Sequence, residues 1–298
     1  MATIVFAGSP MVAVPSLRAL AAVHDIALVI TREDAAVGRK RELTATPVAV
    51  AADELGLPLV KTNSLRDIEL PDCALGVVVA FGGLVPDELL RVPAHGWINV
   101  HFSLLPKLRG AAPVQRGLWA GDRTTGVSIF QLVTELDAGP VFFQREIPFE
   151  PMESATSALL RLAELAVRDL TETVEGILGG VISAHEQLGE VTFAPKFTRD
   201  EARIDWQLPA VVIESRVRAL TSEPGAFTLQ NDHRIGIGGV RVSHAESGPA
   251  GVLRVTGEHV YVGTGDGTIE LLTVKPAGKK ELVAIEWARG LRGPAEFT

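Results

Sequence analysis

Seven consecutive residues, LGVVVAF at 75–81, carry no charge and no side chain able to hydrogen-bond. A strand with one face in water alternates apolar and polar residues. An unbroken run of this length therefore predicts a strand covered on both faces, near the centre of a parallel sheet. Short β-branched runs at 3–6, 26–30, 59–60 and 97–100 supply neighbours for it. Helix-like stretches at 10–22 and 47–55 separate the first three, the alternation expected of a parallel α/β fold. Thr46 precedes Pro47 at the start of the second helix and Gly56 follows its end, so both termini are punctuated. Further strands are expected at 126–132 and 141–147. A long helix over 154–178 presents Leu159, Leu162, Ala166, Leu170, Val174 and Ile177 along one stripe.

Beyond Gly180 the pattern changes. VRVSHA, GVLRVT, HVYVG and TIELLTV are short alternating runs between glycine-rich turns, and one helix at 209–220 precedes them. The reading is a doubly wound, mostly parallel α/β domain over 1–180, Rossmann-like in architecture, followed by a connector at 181–203. A small OB-like β-barrel of five strands then occupies 204–298. With 298 residues, 47% of them hydrophobic, the chain is long enough for two cores.

One cysteine, Cys73, rules out a disulfide framework and suits a reducing compartment. No basic preamble opens the chain, and no apolar run approaches the roughly 20 residues needed to span a bilayer. A cytoplasmic protein is expected, with no membrane partner. The net charge of −8 argues against nucleic acid as a whole-molecule partner, but the acidic excess falls within 1–195 and the remainder is balanced. A polyanion would have to meet local basic groups: Arg39, Lys40 and Arg41, or Lys275, Lys279 and Lys280.

The chemistry concentrates in INVHFSLLPKLRGAAP, residues 98–113. On a strand, residues i and i+2 share a face, so Asn99 and His101 project together at the strand's exit, opposite Ile98 and Val100. An amide can donate to an oxygen gaining negative charge, and an imidazole exchanges a proton near neutral pH. Asp137, in LDAG, is a carboxylate able to fix the tautomer of such a histidine. Singly, each has a plainer role: a loop cap for His101, a backbone bond for Asn99, a turn before Gly139 for Asp137. Ser103 lies beside His101, but without a Gly-x-Ser-x-Gly elbow it is not a nucleophile. The first turn, FAGSP, has one glycine where a dinucleotide fingerprint needs three, which argues against NAD. No His, Cys or Asp cluster has metal-ligand spacing, and no metal is expected.

Taken together, Asn99, His101 and Asp137 within INVHxSLLPxxRGAAP and LDAG resemble the catalytic set of the folate-dependent formyltransferases. The wording is that of the methionyl-tRNA formyltransferase family. FAGSP, EARIDW at 201–206 and TGDGTIELLTVKPAGKK at 264–280 are similar as well, so the resemblance spans nearly the whole chain. It is weakest at 181–195, 221–263 and the carboxyl end. It implies formyl transfer from 10-formyltetrahydrofolate to the α-amine of methionyl initiator tRNA, with Asn99, His101 and Asp137 catalytic. Folate binding is implied for Ser103, Leu104, Leu105 and Pro106, with Phe81 and Gly82 in AFGGLVP adding to its wall or forming an ordinary strand exit. The polar loop at 31–46 corresponds to a family insertion that engages the acceptor stem, which places Arg39, Lys40 and Arg41 on tRNA. Lys279 and Lys280 are further candidates, equally readable as a solubilising turn. A monomer is expected.

Two departures stand out: Phe102 follows His101 where the family often has glycine, and TSEPGAF at 221–227 lacks the family's tryptophan. The rival reading is an N-formyltransferase acting on an amino-sugar nucleotide, which would share the trio. A purine-pathway formyltransferase leaves the second domain unexplained, and a non-catalytic RNA-binding protein leaves the trio unexplained.

Overall fold

The structure is a computed structural model describing residues 1–37, 41–66, 68–291 and 295–298. Its contacts divide the chain into two units. One comprises Met1–Pro113, Thr125–Pro148 and Leu159–Ala194; the other comprises Val114–Thr124, Phe149–Ala158 and Pro195–Thr298.

The first unit is built on β1 (Thr3–Gly8), β2 (Asp25–Thr31), β5 (Leu59–Lys61), β6 (Leu75–Val79), β7 (Trp97–His101), β8 (Thr124–Gln131) and β9 (Val141–Pro148). They form one seven-stranded sheet in the order β5-β2-β1-β6-β7-β8-β9. The pairs from β5 to β7 are parallel, and β8 runs antiparallel to β7. Strand β6 lies in the middle with every residue buried, as its unbroken apolar run predicts. The run stops at Val79 rather than continuing to Phe81, because Ala80 turns to φ 48° and leaves the ladder. Gly76 is the one residue in β6 without a side chain, and a Cβ there would overlap the indole of Trp97, its register partner on β7. Trp97 is fully buried and donates its ring N–H to the Leu89 carbonyl at 2.8 Å.

Helix α1 (Val14–Val23), preceded by a 3-10 turn, and α2 (Pro47–Glu54) follow their strands as expected. The Thr46 hydroxyl accepts from the Ala49 N–H at 3.0 Å, the cap anticipated from Thr-Pro. Between these helices the polar loop contains a short hairpin, β3 (Ala35–Val37) with β4 (Glu42–Thr44). Three-residue strands carry too little periodicity to be seen in sequence. Likewise unforeseen are α3 (Asp87–Leu90) and α4 (Pro113–Ala120). The long helix is α5 (Ala155–Leu178), with Leu162, Ala166, Leu170 and Val174 fully buried on the expected stripe.

The second unit holds α6 (Ala210–Ala219), β10 (Phe227–Gln230), β11 (His233–Ser243), β12 (Leu253–Thr256), β13 (His259–Gly263), β14 (Thr268–Pro276), β15 (Leu282–Val283) and α7 (Ala284–Ala288). Six strands make one antiparallel half-barrel sheet, ordered β10-β11-β14-β13-β12, with β15 added to β14. The four runs read from the sequence fall in β11, β12, β13 and β14; β10 and β15, with four and two residues, are too short to show alternation. Ile213 and Val217, four apart on one face of α6, pack with Ile237, Val262, Ile269 and Val274 from the sheet to fill the core. No described helix is long and apolar enough to cross a membrane.

Candidate active site

Asn99 and His101 occupy the exit half of β7, between β6 and β8, where the register sets Asn99 beside Val78 and Phe130 and His101 beside Ser128. Their shared face follows from strand geometry alone. Asn99 opens onto a cleft of about 460 Å³ at the carboxyl ends of the parallel strands. In open α/β sheets that edge is where loops leave room for a ligand. Val78, Val85, Leu90, Leu132 and Val133 give the cleft apolar walls, while Asn99 and Asp137 lie on its polar side. The size and mix suit a flat heteroaromatic ligand.

The Asn99 Oδ1 is buried and has no hydrogen-bond partner. A buried amide normally satisfies its polar atoms, so a free one facing a cleft is available to a ligand. A half-turn of the amide exchanges Oδ1 and Nδ2, so the same position presents either an acceptor or a donor.

His101 is 6% exposed, its ring set edge-on to Phe130. Nε2 lies 2.9 Å from the Leu108 carbonyl, which can only accept, and this fixes the proton on Nε2. Nδ1 is then the nitrogen free to take a proton, and it lies 3.8 Å from Asp137 Oδ2. The tautomer is thus set by Leu108, and Asp137 acts through its field. Burial pushes the His101 imidazole below its ordinary value, against the opposing pulls of Asp137 and the Leu108 carbonyl. The ring is therefore neutral at neutral pH and can act as a base.

Asp137 reaches this point from the loop between β8 and β9, with φ 48° and 8% exposure. Its Oδ2 accepts from the Gly110 N–H at 2.7 Å. Aspartate is among the few non-glycine residues that tolerate the left-handed region, and the hydrogen bond to Gly110 holds it there. Two residues on, a Cβ at Gly139 would overlap the Gln131 carbonyl, so that position admits only glycine.

The remaining sequence candidates are placed as follows. Ser103, Leu104, Leu105 and Pro106 form a braced turn directly after β7. The Ser103 hydroxyl donates to the Lys107 carbonyl, and the Ser128 hydroxyl donates to the Ser103 carbonyl while accepting from the Leu105 N–H. Leu105 packs with Phe130 and Val141. None of the four is among the described residues lining the cleft. Phe81 is buried in an apolar cluster, and the Gly82 carbonyl accepts from Arg32 at 3.1 Å. Their neighbours Gly83, Leu84, Val85 and Pro86 do line the cleft. Arg41 is exposed immediately before β4, and Arg39 and Lys40 lie outside the described residues. Lys279 and Lys280 are exposed after β14. Among the described residues no cluster of His, Cys, Asp or Glu could hold a metal.

Sequence reasoning missed the walls from Leu132 to Leu136 and the rim at Asn63 and Arg66. It also missed Arg109, 8% exposed, whose guanidinium reaches Gln187 and Glu135. The arginine in RGAAP is visible as a motif letter, but nothing local signals a partner 78 residues away.

The Formyl transferase family profile matches residues 3–174, and the Formyl transferase, C-terminal domain profile matches 196–292. The methionyl-tRNA formyltransferase of Leifsonia xyli subsp. xyli is 48% identical over 299 residues, covering 98% of both chains. The chain belongs to the methionyl-tRNA formyltransferase family. The relative from Mycolicibacterium vanbaalenii is 44% identical, covering 97% of each chain. Among solved structures, the methionyl-tRNA formyltransferase from Clostridium thermocellum superposes with a TM-score of 0.57 at 16% identity, covering 83% of this chain and 96% of that one. The N-formyltransferase from Helicobacter canadensis, solved with folinic acid and dTDP-3-aminofucose, gives 0.68 at 18%, covering 91% and 99%. HypX from Aquifex aeolicus in complex with tetrahydrofolic acid gives 0.66 at 19%, and this chain spans under half of its length, 46%. At these identities the solved structures speak for the fold alone.

Proposed function

We infer that this enzyme formylates the α-amino group of methionyl initiator tRNA for translation initiation, with 10-formyltetrahydrofolate as donor. The observation that carries the reading is the end-to-end match, at 48% identity, to a methionyl-tRNA formyltransferase, across both family domains.

The site supports the chemistry. The apolar walls of the cleft, to which residues 83–86 and 132–136 contribute, receive the pterin. The formyl carbon comes to rest beside Asn99. As the amine nitrogen bonds to that carbon, its carbonyl oxygen gains charge, and the Asn99 amide, turned so that Nδ2 takes the place of the unpartnered Oδ1, donates to it. His101 Nδ1 takes the proton leaving the attacking nitrogen. Asp137, buried at 3.8 Å, stabilises the imidazolium so formed. Collapse breaks the bond between the formyl carbon and the folate nitrogen, and the proton held at Nδ1 returns to that nitrogen. The products are the formylated amine and tetrahydrofolate. Because the acceptor amine is itself the nucleophile, no protein nucleophile and no metal is required.

Basic groups suit the RNA part of the substrate: the exposed Arg41, Lys279 and Lys280, and by sequence Arg39 and Lys40 beside Arg41. We assign residues 1–180 to catalysis, 204–298 to tRNA binding and 181–203 to the join between them, of which 181–194 belong by their contacts to the first unit, in a cytoplasmic monomer. The test is acceptor choice. With 10-formyltetrahydrofolate, the purified protein should formylate methionyl initiator tRNA and leave free methionine and dTDP-linked amino sugars untouched. Consumption of the amino sugar with charged tRNA ignored would reverse the substrate assignment and leave the trio intact.

A further inference from the structure

We propose that Gln187 is a positioning residue for formyl transfer, holding the Asp137 turn against the loop that carries the partners of His101. The proposal rests on the catalytic roles inferred above for His101 and Asp137.

Residues 185–194 read in sequence as a connector and have little regular structure, yet they lie within the first unit and cross both catalytic loops. Val141 and His185 exchange backbone hydrogen bonds at 2.7 and 3.0 Å. Farther on, the Arg109 N–H donates to the Thr192 carbonyl at 2.9 Å, and the Ala194 N–H donates to the Arg109 carbonyl at 2.7 Å. The Leu108 N–H donates to the Thr192 hydroxyl at 2.9 Å. The strap approaches so closely that a Cβ on Gly110 would meet the Ala194 carbonyl. It therefore runs beside the two groups that define the site, the Leu108 carbonyl on His101 Nε2 and the Gly110 N–H on Asp137 Oδ2.

Gln187 sits where the strap passes between these loops. Glu186, Leu188, Gly189 and Glu190 are exposed, and Gln187 alone in that stretch turns inward. Its Nε2 donates to the carbonyls of Asp137 and Gly139, each at 2.8 Å. Its Oε1 accepts from Arg109 Nη2 at 2.7 Å and Nε at 3.2 Å. Two acceptors on one side and a guanidinium on the other fix the amide's orientation, so both protons and the oxygen are used. A carboxylate of the same shape would keep the Arg109 contact but set an oxygen against two carbonyl oxygens. The chain thus closes a ring from Arg109 through Gln187 to Asp137 and back through Gly110. Asp137 has a left-handed φ, a conformation aspartate tolerates, and the ring holds the turn in it. Loss of the Nε2 bonds would let the turn relax and carry the carboxylate away from His101 Nδ1.

The experiment compares Gln187→Glu and Gln187→Met with Asp137→Asn and the double variants, measuring kcat, KM for 10-formyltetrahydrofolate and thermal midpoint. Both single Gln187 variants should lower kcat by about tenfold or more, equivalent to about 1.4 kcal/mol per tenfold. The folate KM and the thermal midpoint should change little. In the Asp137→Asn background neither should cost anything further, because residues acting as a unit are not additive. Gln187→Met keeps the side chain's volume and serves where the charged variant does not fold. A merely structural role would instead move the thermal midpoint and leave kcat per folded molecule unchanged. The proposal is overturned if a folded Gln187→Met enzyme keeps kcat within about twofold of native, or if its loss multiplies with that of Asp137→Asn. Near-normal kcat in Asp137→Asn alone would overturn the catalytic reading beneath it, a result read independently of Gln187.

Discussion

The polar groups at the exit of β7 and those on the half-barrel sheet are handled in opposite ways. At the first, His101 and Asp137 are nearly inaccessible, and each is tied to a backbone group of residues 108–110. On the second, Arg241 and Glu270 pair across β11 and β14 at 2.6 Å, and His259 adds a contact to Glu270 at 2.7 Å, with Arg241 and His259 exposed. Lys279 and Lys280 are likewise exposed, on the turn that follows β14. Proton transfer depends on one geometry held in a low dielectric, where each interaction is strong and each displacement costly. Attraction of a polyanion needs only mobile charge at the surface, where single contacts are weak and sum. Substitutions in the first region should act steeply and singly, those in the second gradually and together.

The sharpest way to break that contrast is His101→Ala or Asp137→Asn. Each should lower kcat by about a hundredfold or more, the range for removing a general acid or base. Binding of tetrahydrofolate, measured by calorimetry, should persist, since neither side chain walls the apolar part of the cleft. Near-normal turnover in a folded variant would show that burial here is structural.

A smaller effect sharpens the electrostatics. The buried His101 ring favours its neutral form, so the acid limb of kcat/KM should fall below the ordinary histidine value of about 6.5. Asp137 opposes burial by favouring the charged ring, so removing its charge lowers the histidine further. In Asp137→Asn the acid limb of the residual activity should move to lower pH. A limb moving upward would mean that Asp137 does not face a titrating His101.

The smallest effect is expected on the half-barrel unit. Lys279→Ala with Lys280→Ala should raise the KM for tRNA a few-fold. It should also flatten the salt dependence, by up to about 0.9 in log–log slope for each phosphate no longer neutralised. Folate KM and kcat should stay at native values. An unchanged salt slope would return these lysines to a solubilising role.

Where the fold is legible in the chain, the signal is local and periodic. The apolar run of β6, the Thr46–Pro47 cap and the stripe of α5 need no partner to be recognised, because backbone geometry repeats every two or 3.6 residues. Most missed pieces carry almost no repeat: β3, β4 and β15 span two or three residues each and α3 spans four, whereas α4, with eight, begins at Pro113 inside the motif read for its chemistry. Ala80 ends the central strand two residues early through a backbone turn that its side chain does not announce.

The site divides along the same line. The sequence by itself put Asn99 and His101 on one face of a strand, since residues two apart on an extended chain cannot do otherwise. The capped second helix and the uneven charge were determined in the same way. Only the tertiary structure decided which nitrogen of His101 is free, because that depends on the Leu108 carbonyl coming within 2.9 Å. Only it brought Asp137 to 3.8 Å from that nitrogen and set Gln187 across both loops. These contacts join residues 7, 36 and 50 positions apart in loops without periodicity. Their meeting is fixed by how the strands beneath them pack, and no local pattern along the chain encodes that.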